Sequence, residues 1–272
     1  MIPTLSEVCS LPAPLEVDIE EYAAGQCRSV EIWLTKLETY VERHSVAEFR
    51  GLLETHEMAA PVASFHGGLL TSQGEARAEA WKLFTTRLEL CQAAGIGTLV
   101  VACDIAAPLD QAAIDRAQVS LVQAAQEAGR RGLRVALEFQ ARAALGNNLQ
   151  TAAALVADAG SPHLGLCFDA FHFYTGPSKL EDLAHLTAAN LFHVQLCDLA
   201  DVPRELASDS DRILPGDGDF SLEPILAHLR AINYVGPVSI ELMNPRLWQV
   251  PPRSFGEIGL TALRRLMGQA SM

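Results

Sequence analysis

The sequence predicts an α/β fold, and within that class a single closed (β/α)8 barrel domain over residues 1–272. Short apolar segments alternate with amphipathic segments along the whole chain, and the alternation gives eight βα units. The apolar segments carry hydrophobic side chains at nearly every position, which is typical of parallel strands covered by helices on both faces. No Gly-x-Gly-x-x-Gly follows the first strand. A closed barrel is therefore favoured over an open doubly wound sheet.

Eight segments have the length and apolar content of strands. In chain order they are Glu7–Leu11, Val30–Leu34, Pro61–Phe65, Thr98–Cys103, Arg134–Phe139, Leu164–Phe168, Leu191–Leu196 and Pro237–Leu242. The first is the least regular, because prolines interrupt it and proline cannot donate to a sheet ladder.

Amphipathic segments fill the intervals between the strands. In Gln73–Ala94 and Gln111–Arg131, for example, apolar residues recur at steps of three and four, which predicts helices. Glycines stand between a helix pattern and the next strand, where a left-handed residue commonly ends a helix. These glycines are Gly95, Gly132, Gly160 and Gly236.

Composition narrows the class of protein. Hydrophobic residues make up 49% of the chain and charged residues 19%, which is ample for a large core. A formal net charge of -13 disfavours nucleic acid and anionic membranes as partners, so a small molecule is the expected partner. No apolar run reaches the ~20 residues of a membrane span, and the N-terminus lacks a secretory pattern. Oligomerisation is left open.

The cysteines indicate the compartment. Six are scattered without a C-x-x-C pair, and several lie in apolar runs. They are Cys9, Cys27, Cys91, Cys103, Cys167 and Cys197. Free cysteine is among the most buried residue types, so reduced thiols in the core are expected. A cytoplasmic protein follows.

Four predicted strands end on side chains that can bind a metal: Glu138, Asp169, Gln195 and Glu241. In a (β/α)8 barrel the C-terminal strand ends meet at one face, where catalytic residues lie. Polar groups there are costly to bury alone, so a shared divalent cation is predicted. The hard oxygen donors favour Mn, Mg or Co over a structural zinc. An ion pair with Lys or Arg is the alternative for each residue taken singly.

Glu138 and Glu241 are expected to transfer protons. On the fifth and eighth strands they would approach a ligand from different sides, so that one takes a proton from carbon while the other returns it. A cation on the adjacent hydroxyl and carbonyl oxygens would stabilise the resulting enediolate. The expected reaction is isomerisation or epimerisation of a small hydroxy-ketone.

His172 and Arg212 are predicted to contact the substrate. His172 follows Asp169 by three residues and would lie beside the metal, although a lone histidine is more often a hydrogen-bonding residue of core or surface. Arg212 is the cation of a long loop after the seventh strand. From spacing alone, an ion pair with Asp209 or Asp211 is an equal alternative for Arg212.

Other side chains face the same predicted mouth. His66 ends the third strand, and Trp248 follows the eighth strand; both are assigned to substrate binding. A structural role is the more frequent one for such a histidine, and packing on the rim is an equal alternative for the tryptophan. Glu31 on the second strand also faces the mouth, and a structural role is favoured for it.

The chain resembles the xylose isomerase-like barrel superfamily of sugar isomerases and epimerases, and most closely inosose isomerase-like proteins. The matching stretches are Val-Ala-Leu-Glu-Phe at Glu138, Gly-Leu-Cys-Phe-Asp-Ala-Phe-His-Phe at Asp169, Asp-Arg-Ile-Leu-Pro-Gly-Asp-Gly at Arg212 and Val-Ser-Ile-Glu-Leu at Glu241. They lie in the C-terminal half. The resemblance implies one divalent metal ion, Mn, Mg, Co or Zn, on Glu138, Asp169, Gln195 and Glu241, with His172 and Arg212 near a keto-polyol, ketose or sugar phosphate. Gln195 departs from the usual histidine, which weakens the preference for zinc.

Several alternatives remain at this level. A lyase similar to 3-dehydroshikimate dehydratases or ketosugar lyases begins with the same removal of a proton next to a carbonyl. A non-catalytic sugar-binding barrel would not need both Glu138 and Glu241. A DNA-repair enzyme similar to endonuclease IV would need more histidine ligands and a less acidic chain.

Overall fold

Eight parallel strands follow one another in a closed barrel, β1 to β8, in the computed structural model, which describes residues 1–269. The strands are β1 Ile2–Ser6, β2 Ser29–Trp33, β3 Ala59–His66, β4 Thr98–Cys103, β5 Arg134–Phe139, β6 Leu164–Asp169, β7 Leu191–Leu196 and β8 Pro237–Ile240. The helices are α1 Leu15–Ala24, α2 Leu34–Val41, α3 Val46–Thr55, α4 Gly74–Ala94, α5 Gln111–Arg130, α6 Leu149–Ala159, α7 Ala170–Thr175, α8 Leu222–Ala231 and α9 Pro252–Leu266. The predicted fold class is confirmed.

The chain divides into two compact units, which we call the outer-sequence unit (Met1–Ala63 with Val194–Met272) and the mid-sequence unit (Ser64–His193). In the outer-sequence unit β1 lies between β2 and β8, so that Leu5 stands opposite both Val30 and Ile240. Strand β7 pairs with β8, which places Gln195 opposite Ser239.

In the mid-sequence unit β5 lies between β4 and β6. Glu138 stands opposite Ala102 on one side and Cys167 on the other. Side chains alternate along β6, and Gly165 lies where a Cβ atom would come within 2.6 Å of the Asn190 carbonyl oxygen. Glycine is therefore needed there for close packing.

Helix α5 illustrates why these segments become helices. Asp110 caps its first turn by accepting a hydrogen bond from the Ala113 N–H at 2.7 Å. Buried side chains recur at three- and four-residue steps along one face, at Ala113, Ala117, Leu121, Ala124 and Ala128.

The first strand was wrongly predicted at Glu7–Leu11. The strand is Ile2–Ser6, and Glu7–Ser10 forms a 3₁₀ helix whose first turn Ser6 caps by accepting from the Val8 N–H. Pro12 and Pro14, just beyond, have no N–H to give to a sheet. The other seven strands were predicted to within two residues at each end.

The predicted left-handed helix ends are confirmed at three of four glycines. Gly95, Gly132 and Gly160 have φ of 81°, 71° and 60°. After α8 the left-handed residue is Asn233, with φ of 55°, so the prediction for Gly236 is wrong. Asparagine tolerates this conformation better than most residues do.

Two further expectations concern the interior and the surface. All six cysteines are free and buried, as predicted. Among residues 1–269, the helices are all too short or too polar to cross a membrane.

Candidate active site

Glu138, Asp169 and His172 form a buried group in the mid-sequence unit, here called the carboxylate–histidine cluster. Glu138 lies at the end of β5, Asp169 ends β6, and His172 lies in α7, which begins directly after Asp169. Their side chains are buried, and one ligand atom of each lies within 4.8 Å of those of the other two. The fold thus brings together two predicted metal ligands and a predicted substrate contact.

Hydrogen bonds hold one oxygen of each carboxylate in this cluster. The Phe171 N–H donates to Asp169 Oδ1 at 2.6 Å, and Gln140 Nε2 donates to Glu138 Oε2 at 2.8 Å. The other oxygens, Asp169 Oδ2 and Glu138 Oε1, each lie 3.8 Å from Nε2 of His172. These separations exceed a hydrogen bond, so direct bonding does not account for the approach.

The geometry and donor types of the carboxylate–histidine cluster fit a divalent cation. Glu138 and Asp169 each place a carboxylate oxygen within 4.8 Å of the other. Two ligand atoms that each lie about 2.0–2.2 Å from one ion are separated by up to about 4 Å, so a small inward shift lets these two oxygens share a cation. Two carboxylates so near each other in a buried place repel unless a cation or a proton lies between them. Glu138 and Asp169 can hold such an ion through oxygen, which suits Mn or Mg.

His172 is better placed to donate a hydrogen bond than to bind the metal. Its Nδ1 accepts from the Ala141 N–H at 3.4 Å. In a neutral imidazole the proton then resides on Nε2, which faces the two carboxylates. A metal-binding histidine usually has the opposite arrangement, with its second nitrogen donating to a carbonyl or carboxylate. This favours the predicted substrate contact for His172.

Glu31, Gln195, Arg212 and Glu241 form a second buried group, in the outer-sequence unit, here called the amide–carboxylate cluster. Nε2 of Gln195 donates to Glu31 Oε1 at 2.8 Å and to Glu241 Oε1 at 2.9 Å. Arg212 Nη1 donates to Glu241 Oε2 at 3.0 Å. All four residues are at most 5% exposed. Both oxygens of Glu241 are therefore held by donors.

The two flanking carboxylates fix the orientation of the Gln195 amide. Ionised carboxylates only accept hydrogen bonds, so the NH₂ group must face Glu31 and Glu241. The opposite flip would set three oxygens against one another. Oε1 of Gln195 consequently points away from both carboxylates. It is the atom of this side chain that can bind a cation.

Arg212 makes the ion pair that the sequence left open. Its Nε and Nη2 donate to Asp209 Oδ1 at 3.0 and 2.7 Å, in addition to the bond with Glu241. Asp211 instead accepts from the N–H of Ser208 at 2.9 Å. The ion-pair alternative is thus correct for Asp209, and a substrate role for Arg212 stays a prediction.

Glu31 was not assigned to the site from the sequence. The Ser-Val-Glu-Ile-Trp pattern of β2 shows a carboxylate among apolar residues, and this is the signal that could have found it. Glu31 is fully buried, and its contact with Gln195 joins positions 164 residues apart, which no local pattern reveals.

His66 packs against α4. It is fully buried, its ring lies 5.2 Å from that of Phe84, and its Nδ1 lies 3.5 Å from Nη1 of Arg87. These contacts favour the structural alternative, and its assignment to substrate binding stays a prediction.

Acid should destabilise the protein through His66. Burial, and next the Arg87 guanidinium, lower the pKa of His66 from 6.5 to about 4. Between these values the unfolded chain binds a proton that the folded chain does not, so stability falls as pH falls, by up to about 3 kcal/mol from this group. Urea unfolding at pH 7 and pH 4.5 measures the free energy of unfolding. Its decrease between the two pH values should be smaller for His66→Gln than for the wild type. His185 is exposed, so His185→Gln should lose as much stability as the wild type. A decrease in His66→Gln equal to that of the wild type would contradict the prediction.

Trp248 is anchored beside the start of the chain. Its Nε1 donates to the Val8 carbonyl oxygen at 2.9 Å, and the side chain is half-buried. This bond fixes the ring within the outer-sequence unit, and its predicted role as a pocket wall stays a prediction.

Comparison with known proteins agrees with this architecture. Residues 20–264 match the sequence profile of the xylose isomerase-like TIM barrel family. An inosose isomerase of Bacillus velezensis is 27% identical over 227 residues, which cover 80% of this chain and 79% of the relative. A 3-dehydroshikimate dehydratase of Pseudomonas aeruginosa is 31% identical over 180 residues, which cover 65% of this chain and 28% of the relative. Alignments with other inosose isomerases span only 43% of those proteins.

The fold is shared with solved structures. A crystal structure of the IOLI protein with a binding zinc atom superposes with a TM-score of 0.92 at 22% identity, covering 100% of this chain and 99% of that one. The profile match extends over most of the chain, and the closed order of eight strands agrees with it. The chain belongs to the xylose isomerase-like TIM barrel family.

Proposed function

We propose that this protein is a divalent-metal-dependent isomerase or epimerase of a small hydroxy-ketone, with an inosose or a ketose as the substrate class. The carboxylate–histidine cluster carries the proposal, because two buried carboxylates at neighbouring strand ends approach a single point. Such a pair needs a cation or a proton to be stable. The inosose isomerase relatives support the substrate class.

Glu138 and Asp169 would hold the ion, and Gln195 and Glu241 are kept as the further ligands predicted from the strand pattern. The ion would supply Lewis acidity toward substrate oxygens. The zinc named for the IOLI protein supports a divalent cation. In this chain the amide oxygen of Gln195 makes Mn, Mg or Co better candidates.

Glu138 and Glu241 are proposed to move the proton. Each follows an apolar strand segment, and each carboxylate is oriented by an amide, Gln140 for Glu138 and Gln195 for Glu241. Arg212 adds a charge-assisted hydrogen bond that orients Glu241 further. His172, with its proton on Nε2, would donate to a substrate oxygen.

A dehydratase is the second candidate. The 31% identity with a 3-dehydroshikimate dehydratase over 180 residues favours it. Removal of a proton next to a carbonyl starts both reactions, so the products separate them. Isomerisation conserves mass, whereas dehydration releases water and leaves a new double bond.

The test is a substrate screen in D₂O with protein loaded with Mn, Mg, Co or Zn. Inosose, ketoses and 3-dehydroshikimate are followed by NMR, and chelated protein is the control. Deuterium at the carbon next to the carbonyl, together with an isomeric product, is the expected result. If no compound exchanges hydrogen in metal-loaded protein, the proposal fails.

Gln195→His should shift metal preference toward zinc. Imidazole is a softer and stronger donor than an amide oxygen, and it can donate only one N–H toward Glu31 and Glu241 instead of two. Competition between Mn and Zn for metal-free protein measures the shift. An unchanged preference, in a variant whose circular dichroism matches the wild type, would remove Gln195 from the ligand set.

A further inference from the structure

Asp198 ties together the long loop that follows β7. It is fully buried, and three backbone N–H groups converge on its carboxylate. Those of Leu199 and Phe220 donate to Oδ1 at 2.9 and 2.8 Å, and that of Gly216 donates to Oδ2 at 3.0 Å. One side chain therefore fixes the beginning, the later part and the end of residues 199–220.

The energetic cost of Asp198 indicates what it does. A buried carboxylate is unfavourable unless hydrogen bonds satisfy it, and here backbone donors provide them. The main chain of Asp198 also pairs with Ile213 in both directions, at 2.9 and 3.0 Å. Asp198 thus holds the loop on the C-terminal side of Arg212 in two ways: its main chain holds Ile213, and its carboxylate holds Gly216 and Phe220.

Arg212 directly precedes that pinned residue. Its own carbonyl oxygen accepts from Asn244 Nδ2 at 3.0 Å, and its N–H donates to the Asp209 carbonyl oxygen at 3.3 Å, so the backbone is held on both sides of the arginine. From this position the guanidinium reaches Glu241 at 3.0 Å. The chain that Asp198 fixes therefore carries the group that bonds to Glu241.

The Pro-Gly-Asp-Gly stretch is shaped around Asp198. Gly216 has φ of +96°, which aims its N–H at the carboxylate and which other residues rarely adopt. A Cβ atom at Gly218 would lie 2.5 Å from Asp198 Oδ1 and 2.4 Å from the Leu199 carbonyl oxygen. Both glycines therefore allow the loop to pack closely around the Asp198 side chain.

We propose that Asp198 is a positioning residue that sets the placement of Arg212 against Glu241. It rests on the proposed function only for its catalytic consequence. Without the carboxylate, the backbone N–H donors are left unsatisfied or bond to water, and the backbone that carries Arg212 is no longer held in one position.

The first experiment observes the side chain of Arg212 by NMR in the absence of substrate. In protein with ¹⁵N-labelled arginine, the buried Nε–H of Arg212, which bonds to Asp209, gives an NMR signal that Arg212→Lys identifies by its loss. Asp198→Asn keeps the size of the side chain but sets an NH₂ group against a backbone N–H. The Arg212 signal should shift or broaden, and amide exchange in residues 209–220 should quicken about tenfold or more, as expected for one lost charged hydrogen bond.

The matched control is Asp217→Asn, an exposed carboxylate in the same loop, which should leave signal and exchange unchanged. Gly218→Ala tests the idea without altering Asp198, because the added methyl forces the loop from the carboxylate; it should change the Arg212 signal as well. A wild-type Arg212 signal in folded Asp198→Asn and Gly218→Ala proteins would overturn the proposal.

The second experiment uses turnover. If Asp198 acts through Arg212, Asp198→Asn should lower kcat/KM at least tenfold in the wild type and have little effect in the Arg212→Lys background. Additive effects of the two changes would overturn the proposal. A chain without turnover on any screened compound would defeat the proposed function, while the NMR result would still decide the role of Asp198.

Discussion

Replacing Glu241 with glutamine is expected to lower turnover by about 10²–10⁴-fold, the contribution of a positioned proton-transfer group. Glutamine keeps the size of the side chain but cannot take a proton. It would also present an NH₂ group to a donor, either Gln195 or Arg212, where the wild type has acceptors on both sides. Steady-state turnover and solvent deuterium exchange measure the effect, and Glu138→Gln should show a loss of the same order.

The main control for Glu241→Gln is metal content, because Glu241 is also a predicted ligand. It must be measured on the assayed sample, and turnover expressed per bound ion. Glu257→Gln, at an exposed glutamate of α9, should keep wild-type turnover. Persistent turnover in metal-loaded Glu138→Gln and Glu241→Gln, or product formed without solvent exchange, would exclude proton transfer by these carboxylates.

Lys36→Met is expected to lower the free energy of unfolding by about 3–5 kcal/mol, the usual effect of removing one partner of a buried ion pair. Nζ of Lys36 bonds to the Asp18 carboxylate and donates to the carbonyl oxygens of Glu7 and Ser10 at 3.1 and 2.9 Å. Lys36 is 8% exposed, and both acidic side chains are fully buried. Methionine would fill the space but leave these groups without their cation. Denaturant unfolding at pH 7 measures the loss.

Matched variants separate charge from packing at Lys36. The double change Lys36→Met with Asp18→Asn should regain much of the lost stability, because the Asp18 charge is removed together with its partner. Lys82→Met, at an exposed lysine, should be nearly neutral. A double variant no more stable than Lys36→Met would show that packing, rather than the ion pair, matters.

The Lys36→Met defect should also depend on pH. Burial raises the pKa of Asp18 to about 6, although Lys36 lowers it, and burial raises the pKa of Glu7 well above its usual range. With the lysine removed, both groups lose the charge that lowers their pKa, so the folded variant gains by protonating them and a falling pH favours its folding. The loss of free energy of unfolding caused by Lys36→Met should therefore be smaller at pH 5 than at pH 8. An equal loss at both pH values would contradict this account.

The sequence alone predicted the barrel because burial on both faces leaves a strong mark. Strands β4, β5 and β7 lie where the apolar runs of Thr98–Cys103, Arg134–Phe139 and Leu191–Leu196 placed them. A parallel strand under helices needs hydrophobic residues at nearly every position, so its first and last residues can be predicted from the sequence. The first strand lacked this mark, because its prolines and the adjacent 3₁₀ helix obscured it.

The sequence also indicated the residue types of the site and where they lie on the chain. A carboxylate at the end of an apolar run is costly, which singled out Glu138, Asp169 and Glu241. The structure then brings Glu138 and Asp169 together with His172. The contact of His172 Nδ1 with the Ala141 N–H, from which we infer a proton on Nε2, could not be predicted, since it depends on the path of the loop backbone.

Only the tertiary structure decided which partners these side chains meet. Periodicity states which face a residue occupies but not which distant residue stands opposite. The bond between Gln195 and Glu31 spans 164 positions, and the carboxylate of Asp198 meets the amide of Phe220 across 22. Such contacts follow from chain closure and loop path, which depend on the packing of the whole barrel. They fix the amide of Gln195 and the backbone next to Arg212, and so the details of the site lay beyond local sequence.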